Sequence, residues 1–325
     1  MKKISLLTLA LSSAVFAHHG VASLSIAGLE GPGAPLETTS TATLPEGKML
    51  AYAKIEDASY AKYTSAVDDE VDKTTYLMYG FGYGITPYLS AYAFLPYYTK
   101  KREDDIGSSG FHDIKLMIAL GFKYDDGLML NPKNESLDDL EDWHFTTYVN
   151  TSLPTGEGEV TFPSQNIDFD PFLQLTFGAP SFMLGFSATK WFGDAVTLSF
   201  DTSYNTFLEH TYSNGVRVKF ADEIRAGGAF TYKLYTNLKS KLRLDADIEA
   251  NYLKIGRDKE GGAQQVATGG EILYTTLGMR LFYNTISLGA GVKIPTWTQL
   301  NEDSQQQGAE GKEDYRAIFT FSTLF

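Results

Sequence analysis

From Leu238 to Tyr252 the chain alternates between charged and apolar residues. Lys239, Lys241, Arg243, Asp245, Asp247, Glu249 and Asn251 share one parity; Leu238, Leu242, Leu244, Ala246, Ile248, Ala250 and Tyr252 share the other, with Ser240 its only polar member. A period of two means a strand with one charged and one apolar face. The run exceeds the ~3–10 residues of an ordinary globular strand. The segment before it repeats the pattern, setting Arg217, Lys219, Glu223, Arg225, Thr231 and Lys233 against Val216, Val218, Phe220, Ile224, Ala226, Phe230 and Tyr232. Asp222 alone puts a charge on the apolar face.

The same template predicts strands over 48–63, 73–86, 89–103, 111–125, 143–155, 181–192, 195–210, 216–234, 238–256, 269–282, 285–297 and 313–325. Tight connections (86–88, 193–194, 235–237, 283–285) alternate with longer polar ones (64–72, 104–110, 156–180, 257–268, 298–312), as in an outer-membrane barrel. The exception is 126–142, on the short-turn side, where Asn131-Pro132 and the run from Glu135 to Glu141 predict a periplasmic excursion with a helical turn. No apolar run past the N-terminus reaches the ~18–20 residues of a spanning helix, which leaves a barrel as the way to cross a membrane. The fold class expected is therefore all-β, a single antiparallel transmembrane β-barrel of about 12 strands.

Aromatic residues fall where two interfacial girdles should lie. Tyr88, Trp143, Trp191, Phe192, Tyr232, Tyr283 and Phe325 mark the turn end, and Tyr63, Tyr97, Tyr204, Tyr252, Tyr274 and Tyr315 the loop end. In the last strand Tyr315, Ala317, Phe319, Phe321, Thr323 and Phe325 share a face. This pattern resembles the C-terminal signal of bacterial outer-membrane proteins, so Phe319, Phe321 and Phe325 are expected to be read by the barrel-assembly machinery. Outer-membrane lipid and lipopolysaccharide are the expected surroundings.

Three segments follow. Residues 1–17 read as a signal peptide, with Lys2 and Lys3 before the apolar stretch Ile4–Phe16 and a small-residue site at Val15-Phe16-Ala17. Residues 18–47 read as a periplasmic segment or a lumen plug, and 48–325 as the barrel. Leu29, Leu36 and Leu44 are more apolar than a free tail needs, which favours the plug. Both termini of the barrel are expected in the periplasm.

Composition narrows the function. There is no Cys, so thiol chemistry, disulfides and Cys-ligated zinc are excluded, and a net charge of −13 argues against nucleic acid. Mean hydropathy of −0.18 is too low for a helical membrane bundle. No enzyme is expected. None of His18, His19, His112, His144 and His210 lies in a His-x-Ser pattern; His112 shares the apolar parity of Ile114, and His144 the polar parity of Thr146. Asp68-Asp69-Glu70, Asp104-Asp105 and Asp138-Asp139 read as solvated loop runs without EF-hand spacing, and no cofactor is expected.

Polar parity places Arg217, Lys219, Glu223, Arg225, Lys239, Lys241, Arg243, Asp245, Asp247 and Glu249 in the lumen. Charges of both signs there either cross-link a nearly filled barrel or line a solute path. Leu153-Pro154-Thr155-Gly156, the stretch Tyr79-Gly80-Phe81-Gly82-Tyr83-Gly84-Ile85-Thr86 and Phe94-Leu95-Pro96-Tyr97 resemble the outer-membrane β-barrel transporter family labelled "MetA pathway of phenol degradation". The resemblance implies a channel for small solutes, aromatic or otherwise hydrophobic, in a Gram-negative outer membrane. The alternatives are a structural or adhesive barrel whose loops bind, and a metal-ion uptake or efflux barrel. For the last, cleavage after Ala17 would expose the amine and imidazole of His18 beside His19, nitrogen ligands suited to Cu(II) or Ni(II); the plainer reading is a solvated tail with two incidental histidines.

Overall fold

The computed structural model describes residues 31–41, 43–60, 71–102, 107–133, 141–160, 174–193, 195–266, 268–301 and 313–325. Twelve wall strands follow one another: β1 (Met49–Tyr60), β2 (Val71–Thr86), β3 (Leu89–Arg102), β4 in two pieces (Gly107–Phe111 and Ile114–Tyr124), β5 (Trp143–Leu153), β6 (Ser181–Phe192), β7 (Val196–Phe207), β8 (Glu223–Asn237), β9 (Leu242–Ile255), β10 (Gly270–Tyr283), β11 (Ile286–Leu300) and β12 (Glu313–Leu324). Each pairs antiparallel with the next, and β12 pairs with β1 from Leu324 opposite Leu50 to Glu313 opposite Tyr60. Met49 and Phe325 exchange backbone hydrogen bonds of 2.9 Å in both directions, so the ring is closed. The chain is thus a closed twelve-strand antiparallel β-barrel, with no helix among the described residues.

Alternation divides the wall into two surfaces. On β9, Arg243, Asp245, Asp247 and Glu249 are buried inside, while Ile248 is 50 % exposed outside. On β10, Leu277 and Met279 face out across from the buried Thr276 and Arg280. The outer face carries Phe81, Ile118, Leu184, Phe200, Leu288 and Phe319, large apolar side chains exposed around the whole ring. Such a belt would be a severe liability in water and fits a lipid environment.

Four expectations are corrected. The strand expected over 216–234 breaks at Ala221–Asp222, so Arg217 and Lys219 leave the wall for a small sheet of His210–Thr211, Arg217–Lys219, Lys259–Glu260 and Ala263–Gln264 beyond the loop ends. Asp222 marks that break; its carboxylate accepts from the Tyr204 and Thr206 hydroxyls at 2.6 and 2.7 Å. The turn expected at 235–237 is formed instead by Leu238–Lys241, because a register shift after Lys233 carries β8 on to Asn237 opposite Leu242. Lys239 and Lys241 therefore sit in an exposed turn, Lys241 at φ 50°, and not in the lumen. Trp191 and Tyr274 point inward, Tyr274 only 1 % exposed, so neither belongs to a girdle. Finally His112 faces the lumen, 5 % exposed. Leu95 and Pro96 span a wider stretch of β4 between the Tyr97–Phe111 and Phe94–Lys115 pairs, a bulge that switches parity; Pro96, with no N–H to offer, suits it.

At 126–142 the chain turns back as Leu128–Leu130 against Phe122–Tyr124, and Asn131 N–H donates to Gly121 O. Most of the expected helical run, like Tyr63, Leu29, the signal peptide, His18, His19 and the carboxylate runs at 68–70, 104–105 and 138–139, lies outside the described residues.

The outward face generates a prediction. Leu277→Arg, in the middle of β10, should destabilise the membrane-inserted barrel by about 2–4 kcal/mol in a lipid-vesicle unfolding titration, as charge does at mid-bilayer. Wild type should migrate faster on gels unheated than boiled.

Candidate functional site

The lumen is filled from within. Residues 31–44 enter at the turn end, rise to Glu37 and return to β1, and nearly every described residue along the way is buried. Local chemistry permits the path: Gly33 has φ +88°, and a side chain there would strike Thr197 and Trp191. Leu36 fits because Gly278, Gly289 and Gly291 leave a hollow between β10 and β11 that any Cβ would close.

Polar contacts hold the segment. The Glu249 carboxylate accepts from three consecutive backbone N–H groups, Leu36 at 2.7 Å, Glu37 at 2.9 Å and Thr38 at 2.6 Å. Such a run of amides is a ready-made anion cradle. Gly33 N–H donates to Asp245 Oδ2 at 2.9 Å. Arg280, 1 % exposed, donates to the carbonyls of Ala34 and Pro35 at 3.1 and 3.0 Å and reaches Ser287 and Thr320 on the wall. At the apex Glu37 lies between Lys54 Nζ at 2.5 Å and Lys293 Nζ at 2.6 Å. On the way down, Thr41 N–H donates to Thr189 Oγ1 and Leu44 N–H to Ser90 Oγ.

The ion network continues up the wall. Lys54 also pairs with Glu56, Glu56 with Arg316, and Arg316 with Glu313. Arg225 pairs with Glu223 at 3.0 Å, and Arg243 with Asp245 at 2.7 Å beneath the Trp191 ring. Of the residues that parity assigned to the lumen, Glu223, Arg225, Arg243, Asp245, Asp247 and Glu249 lie there. Lys54, Glu56, Glu37, Arg280, Lys293, Glu313 and Arg316 were missed. Arg280 and Lys293 are lone charges on the inward parity of otherwise apolar or small-residue stretches, and Lys54 and Glu56 alternate on the inward parity of β1, which was the available signal; Glu37 lies on no strand and had none.

Cavities remain between the described residues. Two adjoining cavities of about 40 and 50 Å³ lie on the loop side of Glu37, sharing Met183 and Arg225, and one of about 230 Å³ opens at the turn end beside Gly31 and Pro32. The described histidines serve as hydrogen-bonding and packing groups. His112 accepts from Asp113 N–H and packs on Tyr98 and Phe177, His144 approaches the Asp142 carbonyl, and His210 packs on Tyr212. Among the described residues no group of three His, Asp or Glu is placed to hold a metal ion.

No protein-family model matches the chain, and no curated protein does. Among solved structures it is similar to the COG4313 outer membrane channel from Pseudomonas putida F1, at 17 % identity over 87 % of this chain and 97 % of that one, with a TM-score of 0.63. That likeness is one of fold. The beta domain of the Bordetella autotransporter Brka, at 8 % identity over 86 % of this chain and 100 % of that one, has a TM-score of 0.47, too low to carry an argument.

Burial alone would raise the Glu37 carboxyl, but the Lys293 and Lys54 ammonium groups outweigh it and lower its pKa to about 2 from the ordinary 4.5. Docking therefore gains stability from this group above about pH 4.5 and loses it as pH falls toward about 2. Amide exchange of residues 33–41 should stay slow at pH 5 and accelerate only below about pH 4. Glu249→Gln removes the charge from three hydrogen bonds and should speed exchange at residues 36–38 by about tenfold or more at neutral pH.

Proposed function

We propose that this protein is an outer-membrane channel for small solutes, shut in the conformation described by residues 31–44. The observation that carries this reading is how the lumen is filled. Apart from Leu36 and Leu44, the segment is held by hydrogen bonds and ion pairs to wall side chains that water could solvate, so leaving would expose a lumen lined in large part by polar groups. A barrel built only to be rigid would fill its interior from the wall itself, as small barrels do.

The finer expectations belong to the same proposal. The chain is exported with residues 1–17 as its signal, inserts with Phe319, Phe321 and Phe325 read by the barrel-assembly machinery, and sits among outer-membrane lipid and lipopolysaccharide. The resemblance to the MetA phenol-degradation barrels supports aromatic or other hydrophobic solutes, and the rings of Tyr98, Phe177 and Phe207 near the loop-side cavity suit them. Metal capture by His18 and His19 would be a periplasmic accessory to passage.

Planar-bilayer recording tests the reading. Wild type should be mostly closed with rare openings, whereas Glu37→Ala with Glu249→Ala should raise mean conductance at least tenfold while migrating as a folded barrel. A variant whose segment exchanges freely and which still conducts nothing would contradict the channel.

A further inference from the structure

The loop-side cavity is charged unlike the chain as a whole. The protein carries −13, yet Lys100, Lys115 and Arg225 face this space against Glu223 alone. Arg225 is spoken for by Glu223 at 3.0 Å. Lys100, 5 % exposed, stands over the Tyr98 ring. Lys115 differs: it is half-buried and makes no hydrogen bond or ion pair to any described residue, with Asp113, Glu223 and Glu56 attracting it only from a distance. Asp113, the nearest acid in sequence, turns one carboxylate oxygen instead to the N–H groups of Thr155 and Gly156, both at 3.1 Å. The bulge at His112–Asp113 is what aims Lys115 inward, since continued alternation from Gly107–Phe111 would put it on the lipid side.

A partly desolvated ammonium with no hydrogen bond or ion pair among the described residues is costly unless a ligand supplies the counter-charge. The rest of the lining suits an anion with a short apolar body. Ser152 and Asn205 offer polar groups, and Phe177 and Phe207 pack at a tilt of 59° with centroids 4.7 Å apart. The cavity adjoining this one through Met183 and Arg225 is lined by Glu37, Asp201 and Lys293, and the two together hold a solute of several heavy atoms, since a water needs about 10–15 Å³.

Resting on the channel reading, we propose that this cavity is the loop-side binding station of that channel and that it takes a small organic anion, its carboxylate at Lys115 and its apolar body against Phe177 and Phe207. The station lies on the loop side of Glu37, so it loads while residues 31–44 stay in place.

The test is a ligand-observed NMR titration of the full chain in detergent micelles, with butyrate and its neutral isostere butyramide as probes. Wild type should prefer butyrate at least tenfold. Lys115→Gln should lose that preference, Lys115→Arg should keep most of it, and Lys259→Gln in the exposed outer sheet should change nothing. Equal binding of the two probes, no binding of butyrate, or full affinity in a folded Lys115→Gln would overturn the proposal. Should Lys115→Gln fail to fold, the wild-type comparison still decides. Butyrate bound by a protein that never conducts would sink the channel reading and spare the site; conduction with butyrate ignored would do the reverse.

Discussion

Everything in this molecule depends on the pairing of its last strand with its first. Lipid offers no hydrogen-bond partner for an exposed strand edge, so a sheet can cross a bilayer only if it closes on itself. The bonds exchanged by Met49 and Phe325, and the ladder from Leu50–Leu324 upward, remove that edge. Closure then imposes the alternation. With apolar side chains committed to the outside, the other half of every strand must face inward, and there charged and hydroxylated residues mix with an apolar cluster of Leu50, Met78, Phe94 and Met117.

An interior of that kind must be wet, paired or filled, and here it is paired and filled. Burying ion pairs gives little net stability, because desolvation offsets much of the attraction, but breaking one side of a pair leaves the other stranded. Residues 31–44 exploit that asymmetry. Glu37 completes Lys54 and Lys293, the amides of Leu36 to Thr38 complete Glu249, and the carbonyls of Ala34 and Pro35 complete Arg280. Docked, these groups satisfy each other; undocked, water takes the place of the segment. Two comparably satisfied states are what a gate requires.

Most of the architecture was legible in the sequence because a period of two is a local signal that each long strand repeats. The interior of β9 followed from it directly, from Arg243 to Glu249. What escaped was anything that breaks the period. The bulge near Pro96 reversed the facing of His112, the shift after Lys233 moved the hairpin turn to Leu238–Lys241, and the departure at Asp222 took Arg217 and Lys219 out of the wall. Asp222 was visible as the one charge out of phase. The segment around Glu37 was harder to read. Several of its partners, Glu249, Arg280 and Lys293, lie more than two hundred residues away, and no local pattern in a stretch rich in Gly, Pro and Thr announces them.

The central claim is that movement of residues 31–44 opens the lumen, and the absence of native cysteine makes it directly testable. Thr41 N–H donates to Thr189 Oγ1 at 3.0 Å, so Thr41→Cys with Thr189→Cys is the pair at which to introduce a bridge between segment and wall. Single-channel recording of that variant, oxidised and then reduced in the same bilayer, is the decisive measurement. The account predicts silence while the bridge is intact and openings once it is reduced; equal conductance in both states would mean that solutes pass without the segment moving.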